Sequence, residues 1–226
     1  MRFTGVSPVL LSSDLERSIA FYEQELGFTG ERYGDDFAIV SRDGQSIFLA
    51  RTEAEIVPHW HVVEKMWNAY VRVDHVDAYY EEVQKRGSEI DYELYDAPHG
   101  MREFGVTDPD GHDVAFGQPI LRWEPAGVRV RVLAGSETIA DTVHASVLYE
   151  IGHEPVYYFP EADVRRDLLE PSDHHTHCPR KGDASYWSLP GIPNAIWYYP
   201  EPIAAAAFIA GHVAFYRQHV TVEVGG

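Results

Sequence analysis

The tightest constraint in this sequence is that its first half states one pattern twice. Ser13-Asp14-Leu15-Glu16 reads as a capping box, in which a serine hydroxyl and a glutamate three residues later satisfy free N–H groups at a helix start. Leu15, Ile19, Tyr22 and Leu26 then fall on one helical face, and Gly27 stops the helix. A strand-like segment at 7–11 precedes it, and extended stretches follow near 31–33, 37–41 and 46–51. The pattern then recurs. Residues 69–73 look extended, Val76, Tyr79, Tyr80 and Val83 make a helix face, and Gly87 ends it, 60 positions after Gly27. Three more extended segments close the second copy around the turn Asp108-Pro109-Asp110-Gly111. A tandem β-α-β-β-β unit of this kind is expected to curl each sheet into half of an open barrel, with a ligand in the concave space between halves.

The pattern breaks where Pro119, Pro125 and Gly127 crowd together. This predicts a first domain over 1–120, a linker over 121–127 and a second domain over 128–226. In the latter, 128–133, 137–140, 145–151, 156–159, 184–189 and 195–199 look extended. A closing helix is predicted from Glu201-Pro202, carrying Ile203, Ala206, Ala207, Ala210 and Val213 inward. The fold class expected is α+β: a tandem βαβββ half-barrel, then a mostly-β domain with a C-terminal helix.

Charge narrows the partners. The chain carries a formal charge of −18, of which −13 falls on 1–120 and −5 on the remainder. Such a surface repels phosphate backbones and anionic lipid and concentrates cations, although acidity also serves plain solubility. Nucleic acid and membrane are therefore not expected as partners. No apolar run approaches the ~20 residues of a membrane span, and Met1 to Leu11 lacks the pattern of a secretion signal. One cysteine, Cys178, permits no internal disulfide, which suits the cytoplasm.

Pro8-Val9-Leu10, Asp14-Leu15, Ala20-Phe21-Tyr22, Leu26-Gly27-Phe28, Asp35-Asp36-Phe37-Ala38, Val57-Pro58 and Gly100 to Phe104 through Asp108-Pro109-Asp110-Gly111 together resemble bleomycin-resistance proteins of the glyoxalase superfamily. The resemblance covers almost all of 1–120. It implies a homodimer, with Pro8 near an arm that exchanges between partners, and a fold whose enzymes hold a divalent metal through His or Gln and Glu. Matching the repeats to that pattern puts Ser7, Leu49 or Ala50, Asn68 and Ala115 at the ligand positions. These side chains are not a competent ligand set, so neither metal nor cofactor is expected. The relatives' cationic, planar ligands call for carboxylates beside aromatic faces. Asp36, Phe37, Phe48, Trp60, Trp67, His99 and Arg102 are the candidates. At His99 the drug-binding relatives tend to carry a tryptophan, a departure that separates this chain from bleomycin itself.

Val156 to Pro160, Glu170-Pro171-Ser172-Asp173, Thr176 to Trp187 and Tyr199 to Pro202 resemble a β-rich family known only as domain of unknown function 427. That resemblance supplies no activity. No Gly-rich phosphate loop and no paired metal carboxylates speak for nucleotide chemistry. Cys178 stands beside His177 and three positions before Lys181, and nearby positive charge can favour a thiolate. Cys178, His177, Lys181 and Glu170 are thus candidate catalytic residues, against the plainer reading of a structural cysteine in a turn. Zinc at His174, His175, His177 and Cys178 lacks paired Cys-x-x-Cys knuckles. Glu170, Lys181, Tyr186 and Trp187 are candidates to line a polar pocket.

The function expected is metal-free capture of a cationic or aromatic small molecule by a homodimer, with a fused domain of unknown role. The alternatives are a superfamily enzyme with a relocated metal site among His59, His61, His75, His99 and His112, or thiol chemistry at Cys178.

Overall fold

Both copies of the repeat fold alike. The computed structural model describes residues 5–63 and 66–225. In the first copy β1 (Val9–Ser12), α1 (Leu15–Gln24), β2 (Thr29–Tyr33), β3 (Phe37–Arg42) and β4 (Gln45–Arg51) give a sheet of order β1-β4-β3-β2. A single-turn helix α2 (His59–Val62) follows. The second copy comprises β5 (Ala69–Arg72), α3 (Val76–Arg86), β6 (Ile90–Asp96), β7 (Met101–Thr107) and β8 (Asp113–Pro119), in the order β5-β8-β7-β6. In each sheet the first strand lies parallel to the last, a pairing that needs a crossover, and the copy's helix lies within it. Alternation does the rest. Ala38 and Val40 of β3 are buried on the helix side, whereas Phe37 and Ile39 face the other way and stay partly open.

The buried side chains of both copies form one cluster, in which Tyr22, Leu26 and Leu49 of the first meet Val83, Phe104 and Phe116 of the second. Polar clasps close its edges. Arg42 donates twice to Glu82 at 2.9 Å and once to the carbonyl of Leu26, which also accepts from the Tyr79 hydroxyl. At another edge, Asp110 accepts from the Ser13 backbone and hydroxyl, Arg17 and Ser18 at 2.6 to 3.1 Å.

That second clasp corrects the capping box. Asp14, not Ser13, caps α1, accepting from the N–H groups of Glu16 and Arg17; Ser13 is drawn to the carboxylate of Asp110. The copies also differ here. The β7–β8 connection is long enough to bring Asp110 to α1, but β3 and β4 are joined by only Asp43-Gly44. Both residues have positive φ, 50° and 77°, as in a type I′ hairpin. Asp43 therefore stays exposed, and α3 begins with no side-chain cap at His75.

The second unit, Ile120–Gly226, begins earlier than expected. Residues placed in the linker form β9 (Leu121–Pro125), which pairs with β12 (Ser146–Glu150). The other strands are β10 (Val130–Ala134), β11 (Glu137–Thr142), β13 (Val156–Pro160), β14 (Glu170–Cys178), β15 (Gly182–Leu189), β16 (Ile192–Tyr198), β17 (His212–Phe215) and β18 (Thr221–Val224). They make sheets of order β11-β10-β18 and β14-β15-β16-β17-β13-β12-β9, packed through Val130, Val132, Ile139, Phe159, Trp187 and Ile196. The opposite face of the larger sheet holds Tyr158, Tyr186 and Tyr199 against Ala206 and Ile209.

The predicted C-terminal α-helix is corrected to a 3-10 helix, Ala204–Ile209. Its buried residues, Ala206 and Ile209, stand three apart, the period of that tighter helix. Ile203, Ala207 and Ala210 are exposed, and Val213 lies in β17 beyond Gly211. β14 escaped notice because it is an edge strand exposed along nearly its whole length, so no apolar alternation marks it. Among the described residues no helix is long and apolar enough to cross a membrane.

Burial alone would raise the Asp110 carboxyl, but hydrogen bonds from Ser13 and Ser18 and the charge of Arg17 outweigh it and hold the pKa below its ordinary value. Asp110→Ala should therefore cost about 1–2 kcal/mol in denaturant unfolding at pH 7. A depressed folded pKa gives stability that is present above the unfolded value, about 4, and is lost as pH falls through the folded one. The gap between parent and variant should accordingly narrow in melts recorded below that pH.

Candidate functional site

β7 turns Phe104 and Val106 to the core and Glu103 to the other face, yet Glu103 is 0% exposed. Its carboxylate accepts from the Tyr70 hydroxyl at 2.7 Å and the Tyr95 hydroxyl at 3.2 Å, and lies 3.1 Å from Nε2 of His99. Trp67 donates its indole N–H to Tyr92 at 3.0 Å, and its ring stands 4.9 Å from Tyr70 and 6.0 Å from His99. A cavity of about 390 Å³ opens beside this group, lined by Trp67, Asp91, Tyr92, Tyr95 and Asp113. Burial, then hydrogen bonding to Glu103, pushes the Tyr70 phenol well above its ordinary pKa; burial and the Glu103 charge do the same for Tyr92. Both hydroxyls therefore stay protonated donors at neutral pH. Burial, then the charge of Asp91, raises Asp113. The outcome is a buried carboxylate walled by aromatic rings, with two further acids lining the cavity beside it, a chemistry suited to an organic cation.

Two glycines create the room. A Cβ on Gly105 would stand 2.2 Å from the Tyr92 ring, and one on Gly117 would stand 2.0 Å from the Tyr70 hydroxyl. Strand-interior glycine marks such close approaches. Glu103, Tyr70, Tyr92 and Tyr95 went unnoticed in the sequence, although Glu103-Phe104-Gly105 and Phe116-Gly117 carried that signal.

The predicted ligand residues are divided. Trp67 lines this cavity, and His99 stands behind it with its ring 6.0 Å from that of Trp67. Phe37 and Phe48 also meet, 5.4 Å apart, with Tyr33 at 6.2 Å from Phe37, but on the open face of the first sheet. Among the described residues, none of the first copy lines the cavity. Asp36 is exposed in the turn before β3, and Trp60, 44% exposed, donates to the carbonyl of Gly111. Arg102, expected in the groove, faces the opposite side. It is tied to Asp77 of α3 and to Asp96, because strand alternation sends it away from Glu103.

The superfamily's metal does not suit these residues. Leu49 and Ala115 are buried apolar side chains, and the Asn68 amide oxygen accepts from the N–H groups of His59 and Asp113. His112 donates to the Leu11 carbonyl, and His99 turns to Glu103. Among the described residues no three His, Cys, Asp or Glu side chains could hold a metal ion together.

In the second unit the four catalytic candidates do not converge. Glu170 and Cys178 end opposite termini of the bulged β14, opposite Ser188 and Gly182 of β15, which puts them about 20 Å apart at strand rise. Adjacent positions send His177 out toward Asp183, 2.6 Å away, and leave Cys178 half-buried against the tyrosine face. Lys181 is committed to Glu150, which also accepts from Arg180. Three strands separate β15 from β12, which a flat sheet would hold about 19 Å apart; the ion pair therefore requires the sheet to curl. The expected pocket of Glu170, Lys181, Tyr186 and Trp187 is dispersed as well. Trp187 lies in the inter-sheet core under Arg166, 3.6 Å from its ring, and Tyr186 on the other face bonds Thr176.

Residues 6–116 match the model of the "Glyoxalase/Bleomycin resistance protein/Dioxygenase superfamily", and residues 122–226 that of "Domain of unknown function (DUF427)". The bleomycin-binding protein from bleomycin-producing Streptomyces verticillus, solved with copper(II)-bleomycin, is 32% identical over 51% of this chain and 96% of its own, with a TM-score of 0.43. The chain is a glyoxalase/bleomycin resistance superfamily member fused to a DUF427 domain. A glyoxalase-related enzyme from Clostridium phytofermentans is 20% identical to the superfamily part, covering 53% of this chain and 98% of that one at a TM-score of 0.44. A glyoxalase/bleomycin resistance protein/dioxygenase from Alicyclobacillus acidocaldarius is 18% identical, over 53% and 95%, again at 0.44. No curated protein matches the chain.

In the superfamily domain, Gly117→Ala should expel the Tyr70 ring from Glu103 and cost about 1–3 kcal/mol in thermal or denaturant unfolding. Gly34→Ala, in an exposed turn with no neighbour near its Cβ position, should not disturb Tyr70, which near-ultraviolet circular dichroism would report.

Proposed function

We propose that the superfamily domain captures a cationic aromatic small molecule without turnover, using the cavity beside Glu103, lined by Trp67, Asp91, Tyr92, Tyr95 and Asp113, as the seat of the positive charge. The observation that carries this reading is a carboxylate with 0% exposure held among Tyr70, Tyr95 and His99, beside Trp67 and a cavity bordered by Asp91 and Asp113. Aromatic faces attract a cation through their quadrupoles, and the buried carboxylate supplies a charge poorly screened by water. The acidic surface favours approach of the same class of ligand. Neither this ring of donors nor the cavity requires a metal.

The same reading makes the protein a homodimer. The open face of the first sheet carries Phe37 and Phe48, with Val9 59%, Leu11 43% and Tyr33 48% exposed, an apolar patch of the kind that marks interaction sites. A second copy would cover it, and Phe37 and Phe48 would then offer a further stacking wall. The cytoplasmic location read from the single cysteine belongs to this proposal too. Among the described residues no side-chain cluster favours a relocated metal site, and thiol chemistry lacks the converging partners it requires.

Isothermal titration of the full chain with bleomycin and with an N-methylacridinium salt tests the reading. Glu103→Gln, which keeps the shape and removes the charge, should weaken binding by roughly tenfold or more. Absence of heat with both ligands, or equal affinity in the variant, would sink it. Sedimentation equilibrium should give twice the chain mass of 25.6 kDa, and Phe48→Glu should return the monomer.

A further inference from the structure

The edge strand β14 presents its histidines on two faces. His174 turns toward Tyr186, ring centroids 4.6 Å apart, whereas His175 and His177 stand directly opposite Ser185 and Asp183 of β15. Nδ1 of His177 is 2.6 Å from the Asp183 carboxylate, and Nδ1 of His175 is 3.2 Å from the Ser185 hydroxyl. A carboxylate acceptor holds the proton on Nδ1 and leaves Nε2 with its lone pair outward, the arrangement that stands behind metal-ligating imidazoles in general. The serine hydroxyl fixes the second ring by the same edge. Neither Nε2 has a partner among the described residues.

We propose that His175 and His177 form a two-imidazole site for a borderline divalent cation, Cu²⁺, Ni²⁺ or Zn²⁺, with Asp183 positioning His177. Residues two apart on a strand share a face with Cβ atoms about 6.6 Å apart. Two imidazoles projecting from that spacing can reach one ion, given metal–nitrogen distances of about 2.0–2.1 Å. Neutral nitrogen donors select these ions over Mg²⁺ and Ca²⁺, which prefer oxygen. Only two side chains contribute, so water, or a donor from another molecule, completes the sphere. The site lies in the DUF427 domain and does not rest on the ligand capture proposed above.

The test is calorimetric titration of the full chain with NiCl₂ at pH 7.5 in a non-chelating buffer, with Cu²⁺ electron paramagnetic resonance on the same samples. One ion per chain is expected, with two-nitrogen hyperfine structure for copper. The double variant His175→Ala/His177→Ala should abolish that event, and Asp183→Asn should weaken it roughly tenfold or more. His174→Ala, on the other face, should leave it unchanged. Circular dichroism melts of every variant guard against loss of the strand itself. A parent that gives no such event, or a double variant that binds as the parent does, overturns the site. Equal loss in His174→Ala overturns the assignment to one face, and full affinity in Asp183→Asn overturns the role given to Asp183.

Discussion

The first domain depends on joining two copies of one unit that could not stand separately. Each copy has a four-stranded sheet and a helix, and its apolar side is too small to be sealed by itself. The shared cluster of Tyr22, Leu26, Leu49, Phe104 and Phe116 supplies the attraction, which is strong but has no direction. Direction comes from the clasps. Asp110 accepts four hydrogen bonds from the start of α1, and Arg42 spans to Glu82 and the end of α1. Charged groups held in this way tolerate little displacement, so they set how one copy lies upon the other.

That packing has a consequence for the cavity beside Glu103. With both helices sharing one core, each sheet keeps its other face free, and the two faces have diverged. The first carries Phe37 and Phe48 in a broad apolar surface. The second draws Trp67, Tyr70, Tyr92, Tyr95 and His99 around a carboxylate. Gly105 and Gly117 are what permit this, because any side chain there would occupy the space of a tyrosine ring. Leu49 and Ala115 are plain core.

The DUF427 domain applies a different solution. Its larger sheet buries one face against a second sheet and curls the other around Tyr158, Tyr186 and Tyr199, with the Lys181–Glu150 pair drawing β15 toward β12. A buried ion pair is a costly fastener, and it is retained most readily where it fixes a geometry that apolar packing leaves loose. Cys178 sits at the edge of this interior, while the neighbouring histidines face solvent. Motif proximity along the chain therefore says little about proximity in space, since successive strand residues point in opposite directions.

The repeat, the helix faces and the stop at Gly27 and Gly87 were legible in the sequence because they are local: period, cap and glycine act within a few residues. So was the family of each half, carried by ordered motifs. The capping residue of α1 was not, because Ser13 had to choose between its own helix and Asp110, 97 residues away. The 3-10 helix at Ala204–Ile209 and the exposed strand β14 were hidden for a related reason, as both are defined by what covers them or fails to. Which face Arg102 takes, which tyrosines surround Glu103 and which histidines stand free all follow from strand register. Register is fixed only when the hydrophobic sides of distant segments have found each other, so these were decisions of the tertiary structure alone.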